Sequence, residues 1–310
     1  MTIKLGVHTG PQDLSMADLH RLWKRADAAG FHWISVWDHF YANPLRERSD
    51  TCFEGVASMA SLATLTSKVQ VGCLMFCALF RNPGLLAKAA VTIDHISNGR
   101  CNLGLGAGWF EAEFREFGYG FPPLKDRIEQ MEEAVQIIRS LLTDPVTNFK
   151  GKYYDVQGAV CGPKPINGNI PIWIGGQGPK RTPHRAAQYG DGYNIPYVSP
   201  AEFKQRMEEL ERACDKLQRD PATLTRTVNL HFHMGADAAG AKAAEERLQK
   251  FQPAQRLGAI TGTAQEAIDR ISMYMEAGAN GLNIAFRPPV DWDAFEAYIE
   301  RVLPVFHKSS

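Results

Sequence analysis

The stretch from Val69 to Trp109 constrains the fold of this 310-residue chain more than any other part. It reads as one complete strand–helix–strand unit. Val69, Val71, Cys73 and Leu74 form a short apolar, β-prone run. Asn82 then offers an N-cap oxygen, and Pro83 has the fixed φ suited to a first helical residue. Leu85, Leu86, Ala89, Ile93 and Ile96 recur at helical spacing, and Asn98-Gly99 can close the helix in the left-handed conformation. A second run, Cys101–Leu105, opens into Gly106-Ala107-Gly108-Trp109. Both strands therefore bring their carboxyl ends to one edge of a parallel sheet, where such folds place their sites.

The same alternation runs through the chain. Further strands are predicted at Ile3–Val7, Trp33–Val36, Ile172–Ile174, Gly192–Ile195, Val228–His233 and Leu282–Phe286. Between them lie helices with recognisable starts: Ser15 with Asp18, Ser199 with Glu202, and Thr263 with Glu266. Ile128, Met131, Val135, Ile138 and Leu142 mark another by their spacing. Two segments interrupt the rhythm, a hairpin insertion around Phe149–Pro165 and a loop excursion around Gln252–Gly262. Eight strands, each followed by a helix, predict a single (β/α)8 TIM barrel over residues 1–310. A doubly wound open sheet would carry a glycine fingerprint after its first strand, and Val7-His8-Thr9-Gly10 has none.

Composition narrows the function classes. Lys plus Arg and Asp plus Glu both number 34, which gives no electrostatic case for nucleic acid or an anionic membrane. No apolar run is long enough to span a bilayer, and the sequence enters its first strand at once, so a cytoplasmic protein is expected. The six cysteines show no paired metal spacing and read as small core residues of a reduced protein.

Polar residues gather at the expected strand ends: His8-Thr9, Trp37-Asp38-His39, Cys73–Cys77, Gly106–Glu111, Gly175–Gly178, Asn194, His231/His233 and Arg287. Gly175-Gly176-Gln177-Gly178 precedes a helix carrying Lys180, Arg181, His184 and Arg185. Cations at a helix start oppose the macrodipole unless a phosphate sits on the glycine amides; otherwise they are simply solvated. Asp38-His39 offers a proton donor or acceptor, or a histidine satisfied in a polar loop. Trp37, Trp109 and Phe110 can stack on a planar ring or plug the barrel mouth. Glu111 is a candidate acid or a first-turn carboxylate of the next helix.

Together, Ser35–Phe40, Arg81–Pro83, Leu86–Lys88, Ile93–Arg100, Gly104–Glu113, Pro171–Gly178 and Asp191–Asn194 resemble the bacterial luciferase-like superfamily of flavin and deazaflavin barrels. Trp37-Asp38-His39-Phe40 and Gly106-Ala107-Gly108-Trp109 resemble its branch that uses the deazaflavin coenzyme F420. The resemblance implies an oxidoreductase moving a hydride between F420 and a small organic substrate, and a homodimer. Reduced FMN in a luciferase-like monooxygenase is the alternative, and a flavin-binding barrel without turnover a further one. The resemblance also implies a cis peptide in the third strand near Cys73-Leu74, which would buttress the ring. It gives Asp38 and His39 contact with the ring, with His39 and Glu111 as catalytic candidates. Gly106, Ala107, Gly108 and Trp109 would line the ring, and Gly175, Gly176, Gln177 and Gly178 would hold the phosphate. Asn43 stands where sugar-phosphate dehydrogenases of this branch carry an aromatic, and Trp109-Phe110 delays the glutamate they place directly after the glycine turn. Both departures argue against a sugar-phosphate substrate.

Overall fold

A computed structural model describes residues 3–42, 51–251 and 253–307. Eight parallel strands close into a barrel: β1 (Lys4–Thr9), β2 (Trp33–Val36), β3 (Gln70–Cys77), β4 (Cys101–Gly106), β7 (Ile172–Gly175), β8 (Gly192–Pro196), β9 (Thr225–Met234) and β11 (Gly281–Phe286). Closure comes from β8 pairing with β9 and β11 pairing with β1. One cluster of buried apolar side chains, from Ile3 to Phe306, fills the layer between strands and helices.

The caps read from the sequence form. Ser15 starts α1 (Met16–Ala29) and Asn82 starts α3 (Pro83–Ser97), which Asn98 ends at φ +57°, while Glu54 adds a cap not read from the sequence to α2 (Gly55–Leu65). Beyond α4 (Glu111–Glu116) and α5 (Leu124–Thr143) lies α6 (Arg181–Tyr189). Ser199 and Thr263 make full capping boxes for α7 (Pro200–Lys216) and α10 (Ala264–Glu276). On α3, however, Leu85 and Ile96 face solvent, and the buried stripe runs through Leu86, Ala90 and Ile93 instead.

Both excursions differ from expectation. The hairpin is formed by β5 (Thr147–Lys150) and β6 (Asp155–Ala159), so it starts earlier and is shorter than Phe149–Pro165. The predicted loop at Gln252–Gly262 instead contains a short helix, α9 (Pro253–Arg256), after α8 (Ala238–Leu248), and a strand, β10 (Ala259–Gly262). Ala259–Gly262 pairs in parallel with His231–Met234, which buries Ala259 and Ile260. Gln252 and Asn43 lie outside the described residues.

The barrel's amino end is plugged by Trp33 and Trp173, whose rings lie 4.7 Å apart across the interior. Above them Asn194 donates to Thr227 Oγ1 at 2.8 Å and Asn229 Oδ1 at 3.0 Å, and Asn283 donates to Asn229 Oδ1 at 2.9 Å. Against the same two rings a cavity of about 320 Å³ opens at the amino end, between Lys4, His32, Gln70 and Asp191. No helix among the described residues is long and apolar enough to cross a membrane.

Asp27 sets the entry to β3. Its carboxylate accepts the backbone N–H groups of Ser67 (3.0 Å), Lys68 (2.9 Å) and Val69 (2.9 Å). Burial opposes its charge, but these donors prevail and hold its pKa below the ordinary carboxylate range. Asp27→Ala should cost about 1–3 kcal/mol in urea denaturation at pH 7, because buried donors lose their acceptor. A carboxylate with a depressed native pKa contributes above its unfolded pKa and is lost as pH falls through the native one, so the gap between wild type and variant should narrow in acid.

Candidate active site

At the end of β2 the chain turns through Trp37-Asp38-His39, and the two polar residues go different ways. Asp38 is buried and points under the rim. It accepts the Cys77 N–H at 3.0 Å and both arms of Arg81, at 2.7 and 2.8 Å, while Arg81 also reaches Glu54. Burial works against the Arg81 cation, yet the two carboxylates hold its pKa above the ordinary value. Asp38 thus ties the end of β2 to the end of β3. His39 turns to the mouth, half-buried, with its ring edge-on to Trp37 at 5.8 Å and to Trp109 at 5.8 Å.

The carboxylate that meets His39 is Glu113, which sequence reasoning missed. Its Oε2 lies 2.8 Å from His39 Nδ1, and its Oε1 accepts the N–H groups of Phe40 (2.8 Å) and Tyr41 (3.2 Å). Glu111, the expected acid, is turned to solvent and pairs with Arg115 one helical turn on. α4 places Glu111 and Glu113 on opposite faces, and Glu113 is buried beside Phe114. Glu113 accepts from two backbone donors as a carboxylate, so Nδ1 carries the imidazole hydrogen and Nε2 is left toward the mouth.

The β3 end carries a cis bond between Leu74 and Met75, next to Cys73-Leu74 as expected, and a break in register with β4 between Cys73 and Phe76. Met75 lies against glycines of the neighbouring strands. A Cβ on Gly104 would fall 2.2 Å from Cys73 O, and one on Gly175 would fall 2.3 Å from Met75 Cε. Cys73 and Leu74 themselves are buried, Leu74 against Trp33 and Trp173. Gly106-Ala107-Gly108 follows, with Gly108 at φ +73° packed on Phe114 and Cys77. Trp109 is exposed at the rim.

Gly175–Gly178 leads into α6, which has no side-chain cap and no acidic residue in its first turn. Lys180 and Arg181 are exposed there, whereas His184 and Arg185 are paired with Glu209 and Glu132. Gln177 donates to Pro196 O at 3.1 Å, which fixes the loop against β8. A helix start with open N–H groups, glycines and cations suits an anionic phosphate.

Opposite the glycines, the mouth is walled by rings. His8 Nδ1 meets Ser35 Oγ at 2.8 Å, Arg287 lies 4.7 Å over the Trp37 ring, and Tyr197 stacks on His231. Burial, then the Arg287 charge, lowers His8 to about 3 and His231 to about 2, so both imidazoles are neutral at pH 7. Asn194 belongs to the polar layer beneath the mouth. Among the described residues no group of three or more His, Cys, Asp or Glu side chains is placed to hold a metal ion.

The model of the luciferase-like monooxygenase family matches residues 1–269. The chain belongs to that family. Within this family, it is 27% identical to an F420-dependent glucose-6-phosphate dehydrogenase of Amycolatopsis mediterranei, over 97% of this chain and 98% of that one. It is 34% identical to a 5,10-methylenetetrahydromethanopterin reductase of Archaeoglobus fulgidus, over 69% of this chain and 59% of that one. Its fold matches an F420-dependent secondary alcohol dehydrogenase in complex with an F420–acetone adduct, with TM-score 0.87 and 22% identity over 98% and 99% of the two chains.

Two glycines should respond differently to a methyl group. Gly104→Ala drives a carbon against backbone, so melting should show a loss of about 1–3 kcal/mol, the usual cost of overpacking. Gly175→Ala meets the mobile end of Met75 and should cost less than Gly104→Ala. Equal melting temperatures for the two variants would contradict this packing account.

Proposed function

We propose that this chain is an F420-dependent oxidoreductase that exchanges a hydride with a small organic substrate. The observation that carries the reading is the His39–Glu113 pair beside the glycine-lined face of the mouth. Its relatives' names, F420-dependent across nearly the whole length in the first case, support the coenzyme. When bound, F420 supplies or accepts the hydride at its ring.

The chain's residues fit such a coenzyme. Gly104, Gly106 and Gly175 make room for the Met75 side chain, on which a flat ring system would rest. Gly106, Ala107, Gly108 and Trp109 border that face. Gly176, Gln177 and Gly178, with the α6 start, Lys180 and Arg181, would hold the phosphate. Asp38 acts in this scheme from below, by holding the β3 end through Cys77 N–H and Arg81. With its hydrogen on Nδ1, His39 takes the substrate hydroxyl proton at Nε2 as hydride leaves the carbon, and in the reverse direction the imidazolium gives that proton back to the oxygen. Glu113 fixes the tautomer and stabilises the imidazolium when it forms. Burial of Glu113 behind Phe40 and Tyr41 keeps that contact away from water. The homodimer implied by the family belongs to the same proposal, and light scattering tests it.

Fluorescence titration of the purified protein should give tighter binding of F420 than of FMN; FMN binding without F420 binding would favour the monooxygenase reading. With F420 bound, His39→Ala should lower turnover about 10²–10⁴-fold, the usual contribution of a general acid–base group, and leave F420 affinity nearly intact. Glu113→Gln, which keeps a hydrogen-bond acceptor but loses the charge, should lower kcat by less than His39→Ala does. Wild-type turnover in His39→Ala would reject the role given to the imidazole.

A further inference from the structure

Across the mouth from the glycines, one buried side chain has no partner for either of its polar atoms. His231 lies on β9 at the carboxyl end and is 1% exposed, and neither Nδ1 nor Nε2 makes a hydrogen bond. A buried imidazole left this way forfeits the desolvation cost of both nitrogens. Its cross-strand neighbours are Ala259 on β10 and Ala285 on β11, so small side chains flank it.

A second feature converges on the same ring. Tyr197, just after β8, has φ +57°, a left-handed backbone conformation that is uncommon for a bulky aromatic and is retained only where surroundings impose it. Gly258 makes room for it. A Cβ at Gly258 would lie 2.2–2.5 Å from the Tyr197 backbone, and Gly258 O accepts the His231 N–H at 2.9 Å. Tyr197 N–H donates to Asn229 O at 2.8 Å. The result is a ring stack at 3.9 Å and 6°, with Arg287 donating to the Tyr197 hydroxyl at 3.3 Å.

The pair lies on the same mouth as His39. Contacts run from His39 to Trp37, from Trp37 to Arg287, from Arg287 to Tyr197 and on to His231. Phe251 adds an aromatic wall 5.5 Å from the His231 ring. Taking F420 on the glycine side, as proposed above, we infer that the Tyr197–His231 stack is the substrate-recognition wall, and that it selects an uncharged organic molecule carrying a carbonyl for His39 and a hydroxyl for the His231 edge. A neutral imidazole offers one donor and one acceptor, which a hydroxyl matches. The Arg287 guanidinium, spread over Trp37 and Tyr197, is the one charge among these named residues, and both imidazoles are neutral, so a hydroxyl rather than an ion matches the His231 edge. A substrate phosphate would find little here to replace its water.

The test uses the protein loaded with F420 and three probes: 4-hydroxycyclohexanone, cyclohexanone and glucose 6-phosphate. F420 loading is measured first, so failure to load counts against the coenzyme reading alone. On the loaded wild type, calorimetry should show the hydroxyketone binding about tenfold more tightly than the ketone, since a site with buried polar groups penalises a ligand lacking the matching one. Glucose 6-phosphate should bind more weakly than either. His231→Phe keeps the stack but removes both nitrogens, and should bring the two ketones to equal affinity while F420 affinity stays unchanged. His231→Asn, which restores a donor and an acceptor, should recover part of the preference and guards against misfolding of the first variant. Preference retained in His231→Phe, no binding of either ketone, or tightest binding of the sugar phosphate would overturn the inference.

Discussion

A buried carboxylate must be surrounded by donors or it does not stay charged. Glu113 meets that demand with His39 Nδ1 and two backbone N–H groups, all from the segment after β2. Because α4 brings the acid and β2 brings the donors, the requirement fastens two distant parts of the chain at the barrel mouth. Asp38, next to His39, meets the same demand in another way, with Arg81 and the Cys77 N–H. One short segment thus spends two carboxylates, one to lock β2 to β3 and one to orient an imidazole.

The mouth they support is asymmetric. Strands β3, β4 and β7 present glycines over which the Met75 side chain lies. Strands β8, β9, β11 and β1 present Tyr197, His231, Arg287 and His8, a surface of rings around one guanidinium. One flexible side chain over glycines on one side and dense rings on the other suit the two ligands proposed above, one flat, the other read by side chains.

Most of this architecture was legible because its signals are local. Asn82, Ser199 and Thr263 announce helices through bonds spanning two or three residues, and the eight barrel strands are compact apolar runs. Other features depend on partners far along the chain. β10 is only four residues, and it is a strand because His231–Met234 lies beside it. Glu111 and Glu113 look equivalent in sequence; the phase of α4 decides between them, and the burial of Phe114 next door was the one available hint. Nothing in the sequence around Tyr197 indicates a left-handed backbone, and the glycine that makes room for it, Gly258, lies sixty-one residues on (258 − 197). The glycine loop was placed correctly before α6, but only the structure separates its exposed cations from those paired with acids.

Trp33 and Trp173 close the amino end of the barrel, and that has a kinetic meaning. A well with one opening cannot pass molecules through; whatever enters must leave by the way it came. Two ligands sharing such a well are subject to a queue, in which the deeper one arrives first and departs last. For the two ligands proposed above, an ordered addition would then follow from the scaffold, from two indole rings at the far end from the proposed chemistry.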